Sequence, residues 1–99
     1  MKINTLQELI EKIKERPSSF IGKNSIFCLE SFLFGVTFVK KWDDEEILKD
    51  FQKWIAKEYR IKTSHSWSSI LNFYSSNEYT ALEKFFNEFD KFLKERYPQ

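Results

Sequence analysis

The residues able to do chemistry are few and widely spaced. The lone histidine, His65, lies in Ser64-His-Ser-Trp-Ser-Ser69, and a serine beside a histidine is the raw material of a nucleophile with its base. Such a pair also needs an orienting carboxylate and an oxyanion hole, and the chain has no Gly-x-Ser-x-Gly turn to build one. Serines ahead of a helix ordinarily cap it, so the stretch reads as a helix start. The single cysteine, Cys28, sits between Phe27 and Leu29 and reads as a small buried hydrophobe. Without a second cysteine it forms no intramolecular disulfide, in keeping with a reducing compartment. One His and one Cys far apart do not make a zinc site. Asp43-Asp-Glu-Glu46 gathers four carboxylates but lacks the alternating ligands and central glycine of a calcium loop. These residues point to no metal, no cofactor and no enzyme.

What the chain has instead is packing material. Its 99 residues hold eleven Phe, four Tyr and three Trp, against one His, one Cys and two Gly. Aromatics at 18% of the chain supply cores and interfaces, which favours a protein that works by binding. Base stacking is a second use for them. Trp42, Trp54 and Trp67 fall on or beside helical apolar stripes, however, and no Lys/Arg ladder interleaves them, so nucleic acid is not the expected partner. Sixteen basic and fifteen acidic residues give a net charge of +1, which is no electrostatic footprint for DNA or RNA. No apolar run reaches the roughly 18 residues of a membrane span. The N-terminus meets Glu8 and Glu11 too soon for a secretory core, so a cytoplasmic protein without membrane contact is expected.

The elements that must position these residues are helical. Leu6, Leu9, Ile10 and Ile13 recur at three- and four-residue spacing, with Thr5 to Glu8 as a capping box and Pro17 as a stop. Residues 17–24 read as a loop in which Phe20 and Ile21 plug the core and Gly22 turns the chain. A second helix, capped by Asn24 or Ser25, runs to about Lys40 with Ile26, Leu29, Phe32, Leu33, Val36 and Val39 or Lys40 on its stripe, and with Phe27, Phe34 and Phe38 elsewhere on the cylinder. It is apolar on several sides, as a central helix would be, although Phe34 to Val39 also suit a strand. Asp43 caps a third helix whose inner face is Ile47, Leu48, Phe51, Trp54, Ile55 and Tyr59. A fourth starts at Ser64 or Ser66 with Trp67, Ile70, Leu71 and Tyr74 inward. A fifth runs from Ser76 or Asn77 to Arg96, its stripe being Leu82, Phe85, Phe86, Phe89, Phe92 and Leu93, and Pro98 ends it. With no linker or repeat, residues 1–99 are expected to form one domain, a compact all-α bundle of four to five helices.

Two resemblances refine this reading. Arg16-Pro-Ser-Ser-Phe-Ile-Gly22 resembles the Arg-Pro-Gly-Met-Tyr-Ile-Gly segment of the type II topoisomerase ATPase subunit. The likeness ends there, since Glu30-Ser31 replaces the acidic-Asn pair and no glycine-rich phosphate loop follows. Over nearly its full length the chain resembles a group of small bacterial proteins akin to immunity proteins of toxin–immunity systems. Arg16, Pro17, Phe20, Ile21 and Gly22 carry that likeness, followed by Ser25, Ile26, Leu29, Phe32, Leu33 and Gly35. Phe51, Trp54, Ile55, Tyr59, Ser64, Ser66 and Trp67 continue it, and the acidic-aromatic last helix from Glu78 completes it. The resemblance implies a non-enzymatic cytosolic binder that blocks a cognate toxin. A nuclease is one candidate, although inhibitors of basic nucleases ordinarily carry more acid than a net +1 allows. A small regulatory or nucleic-acid-associated helical domain is the alternative. The densest single-sign cluster, Asp43, Asp44, Glu45 and Glu46 with Asp50 one turn on and Trp42 as an aromatic anchor, is the expected protein-binding surface, with Arg60 to Trp67 as the next place to seek it.

Overall fold

The structure, a computed structural model, describes residues 2–97, so the expected stop at Pro98 lies outside the described residues. Six helices and no strand occur among them: α1 Leu6–Glu15, α2 Pro17–Ile21, α3 Ile26–Val39, α4 Ile47–Glu58, α5 Trp67–Phe73 and α6 Glu78–Arg96. The all-α class follows the apolar periodicity, and the extra helix is α2. Pro17 stops α1 and also starts α2, because its fixed φ suits a first helical position where no N–H is needed. Gly22 closes that short helix at φ 74, its N–H donating to Ser18 O at 3.2 Å. Phe20 is not a plug. It stays 36% exposed and meets Phe32 edge-on at 6.2 Å, while Ile21 packs against the core.

Caps set most helix starts. Thr5 Oγ1 accepts from Glu8 N–H, Ser25 Oγ from Phe27 N–H, and Ser66 Oγ from Ser69 N–H. Asn77 takes both Tyr79 N–H and Thr80 N–H, and Thr80 Oγ1 answers by accepting from Asn77 N–H at 3.2 Å. The end of α4 is closed differently. Arg60 N–H donates to Lys57 O, Ile61 N–H to Ala56 O, and Arg60 takes the left-handed φ of 54 that a glycine usually fills. Ile61 then packs against the core, the apolar contact that accompanies this cap.

The core is built around Phe51 of α4. Its ring meets Phe85, Phe89 and Phe92 of α6 edge-on at 5.2–5.4 Å and Trp67 of α5 at 5.9 Å. Leu6, Leu9, Ile10 and Ile13 of α1 and Ile26, Leu29 and Leu33 of α3 complete it. The last helix thus lies on α3, α4 and α5 through its Phe stripe. Tyr74, expected inward, falls just past the end of α5 and is about half exposed.

Candidate functional site

The acidic cluster does not form the start of α4. Residues 43–46 make a turn, Ile47 N–H donates to Asp44 O at 2.9 Å, and Glu46 precedes the helix without a side-chain cap. Asp44 instead caps α1, accepting from Leu6 N–H at 2.6 Å and Gln7 N–H at 3.1 Å. A carboxylate there meets two orphan donors and the positive end of the helix dipole. The turn is held in place by Asp43 N–H donating to Asn4 O and Lys40 Nζ to Ile3 O. Trp42 is not an exposed anchor: it is 7% exposed, belongs to the core cluster, and donates Nε1–H to Val36 O at 2.9 Å near the end of α3. The Lys40 ammonium lies 4.3 Å from its ring centroid. Asp50 points to the other end of the molecule's last helix, bridging Arg96 Nη1 at 2.6 Å. Glu46 pairs loosely with Lys49 at 3.5 Å, and Asp43 and Glu45 are exposed. The structure therefore gathers residues 42–46 against the N-terminus of α1 and around a cavity of about 580 Å³ that Arg96 and Tyr97 also line, and Asp50 joins it through its ion pair with Arg96.

A second surface was hidden by composition. Along α3, Phe27 is 38% exposed, Phe34 73% and Phe38 82%, and Val39, one of the two residues expected to end the inward stripe, is 77% exposed. Phe27, Ser31, Phe34 and Phe38 follow one another at three- and four-residue steps, and Gly35 lies four residues after Ser31, so the five share one side of the helix. The inward stripe of Ile26, Leu29 and Leu33 uses the same spacing. A helix apolar all round does not reveal which side the core takes, and the expectation of a fully central helix fails for that reason.

The third surface lies where residues 61–65 cross the end of α5. Ile61, Thr63, His65, Ser69, Ile70, Asn72, Phe73 and Tyr74 line a pocket of about 390 Å³. Gln52 of α4 fixes its wall, donating Nε2–H to His65 O at 2.9 Å and accepting from Trp67 N–H at 2.6 Å. His65 Nδ1 pairs with Thr63 Oγ1 at 2.5 Å, while the Ser66 hydroxyl lies in hydrogen-bond contact with those of Ser68 and Ser69 at the start of α5. The serine run is thus a cap, as its position before the helix implied. Phe73 stands 80% exposed at the rim and touches Tyr74 edge-on at 5.1 Å; Tyr74 in turn lies 5.0 Å from Tyr59. Burial, then the charges of Glu88 and Glu58 and the neighbouring Tyr74, push the Tyr59 phenol above its ordinary value. The folded chain therefore holds that proton more tightly than the unfolded one, and the associated stability is lost as pH climbs through the alkaline range. Asn72 Oδ1 is buried beside the pocket without a hydrogen-bond partner. Of this pocket the sequence offered the stretch Arg60 to Trp67, as the second place to seek an interface, but not the wall from Ser69 to Tyr74.

Among the described residues no three His, Cys, Asp or Glu side chains are placed to hold a metal ion, and no helix is long and apolar enough to cross a membrane. Comparison with protein families, characterised proteins and solved structures finds no match to this chain.

Proposed function

We propose that this chain is a non-enzymatic protein-binding module, an immunity protein that neutralises a bacterial toxin by direct contact. The observation that carries the reading is the pocket at the end of α5. An apolar cavity floored by Ile61 and Ile70, with a large aromatic left at its rim, is the shape that receives one projecting side chain of a partner. Phe73 and Tyr74 would cover such an anchor and exclude water around it. The resemblance to small bacterial immunity proteins supplies the kind of partner, a toxin domain. The exposed carboxylates Asp43, Glu45 and Glu46 would speed the approach of a basic toxin without anchoring it.

The test is co-expression with the products of the neighbouring genes, scored by growth arrest and its relief and by isolation of a one-to-one complex; a neighbourhood in which no product arrests growth overturns the reading. Wild type should restore growth, and Phe73→Asp should lose rescue while keeping the helical circular dichroism of the parent. Rescue by a folded Phe73→Asp variant at the wild-type level would remove the pocket from the interface. An electrophoretic shift of nucleic acid that collapses with salt would point to the alternative, a nucleic-acid-associated domain.

A further inference from the structure

The solvent side of α3 lies apart from the pocket of α5 and calls for an occupant of its own. Phe27, Phe34 and Phe38 together expose nearly the equivalent of two whole phenylalanine residues, and Val39 adds to them. From Phe27 to Phe38, about 16 Å along the axis, the stripe Phe27, Ser31, Phe34, Gly35, Phe38 has no ionisable side chain. A charged partner surface would lose hydration against these rings and gain no counter-charge. A second copy of the chain brings the same uncharged stripe, and a net charge of +1 sets almost no long-range repulsion between copies.

Gly35 points the same way. It sits inside a helix, where glycine weakens the backbone, yet its φ is not left-handed and a Cβ there would meet no atom within 4 Å. Nothing within the chain calls for glycine at that position. A glycine between exposed rings, one turn from Ser31, leaves the helix backbone open to close approach there, and what would approach it must come from outside. The area is sufficient for a modest interface. At about 200 Å² per buried Phe, the exposed rings with Val39 amount to roughly 500 Å² a copy, so about 1,000 Å² in a pair, at the lower bound for specific contacts.

We infer that this face joins two copies of the chain in an isologous dimer, α3 lying antiparallel on its copy across a two-fold axis near Ser31 and Gly35. A two-fold contact places the same patch on both sides. Phe34 of each copy then lies over the other's bare backbone at Gly35, and Phe27 of one lies against Phe38 of the other.

Sedimentation velocity on the full chain tests this. Wild type should pass from monomer to dimer with a dissociation constant of about 1–100 μM, the range for a small apolar interface. Phe34→Glu and Gly35→Leu should each weaken that association at least about tenfold, by charge in one case and by a side chain that holds the helices apart in the other. Both positions face solvent in the single chain, so circular dichroism should match the parent. Phe73→Asp, on the other surface, should leave the dimer unchanged, which separates this test from that of the toxin interface. A chain that stays monomeric into the millimolar range overturns the proposal and leaves the face to a different protein. A dimer whose midpoint is unmoved by both α3 substitutions overturns it as well. If one variant fails to fold, the other and the wild-type concentration series still decide.

Discussion

α3 and α6 are both rich in phenylalanine and treat it in opposite ways. In α6, Phe85, Phe86, Phe89 and Phe92 are all buried, and the intervening positions carry Glu83, Lys84, Asn87, Asp90 and Lys91. In α3, Phe27, Phe34 and Phe38 face solvent, Phe32 is half-buried, and Glu30 is the only charged residue in the helix. A charged face leaves α6 one orientation in which its apolar stripe meets the core. α3 offers apolar surface on two sides, and one core can take only one of them. Phenylalanine content therefore predicts burial only when polar residues occupy the opposite side. The acidic turn teaches the same lesson for charge: four adjacent carboxylates look like one feature, yet Asp44 caps α1 while Glu45 stays in water.

The contrast can be broken in order of expected effect. Phe89→Ala empties a site among Phe51, Phe85 and Phe92, and should cost about 3–5 kcal/mol in denaturant unfolding. A loss under about 1 kcal/mol would mean that the α6 stripe is not the centre of the core. Asp44→Ala removes the acceptor for two N–H groups of α1 and should cost about 1–2 kcal/mol. Glu45→Lys beside it should stay within about 0.5 kcal/mol of wild type. Equal effects at the two positions would return the turn to a uniform acidic patch.

Gly35→Ala should stabilise the monomer by about 0.5–1 kcal/mol, since the added methyl meets no atom of its own chain. Thermal unfolding at low protein concentration reads this without interference from self-association. Destabilisation would show that the outer side of α3 is packed after all. The smallest effect belongs to Phe38→Ala, within about 0.5 kcal/mol under the same dilute conditions. Set beside Phe89→Ala, it measures directly how differently one residue type behaves on the two helices.

Much of the architecture was legible in the chain alone. The faces of α1, α4 and α6 follow from apolar residues spaced at three and four, with polar residues between them. Ser25, Ser66 and Asn77 marked their helix starts because a short side-chain oxygen reaches the free N–H groups just ahead of it. These are local relations, within one or two turns, and the sequence displays them directly. Pro17 was ambiguous locally, since the residue that ends one helix is also suited to begin the next.

The surfaces were decided by tertiary structure. Asp44 finds Leu6 and Gln7 across 38 and 37 positions of chain, and Trp42 enters the core because its turn folds back onto the segment before α1. The pocket at α5 exists because Gln52, on a different helix, holds His65 and Trp67 in place. Which side of α3 faces water depends on where α2, α5 and α6 lie against it. Local spacing determines that a helix forms and how wide its apolar surface is. Only the packing of distant elements determines which part of that surface remains to be bound.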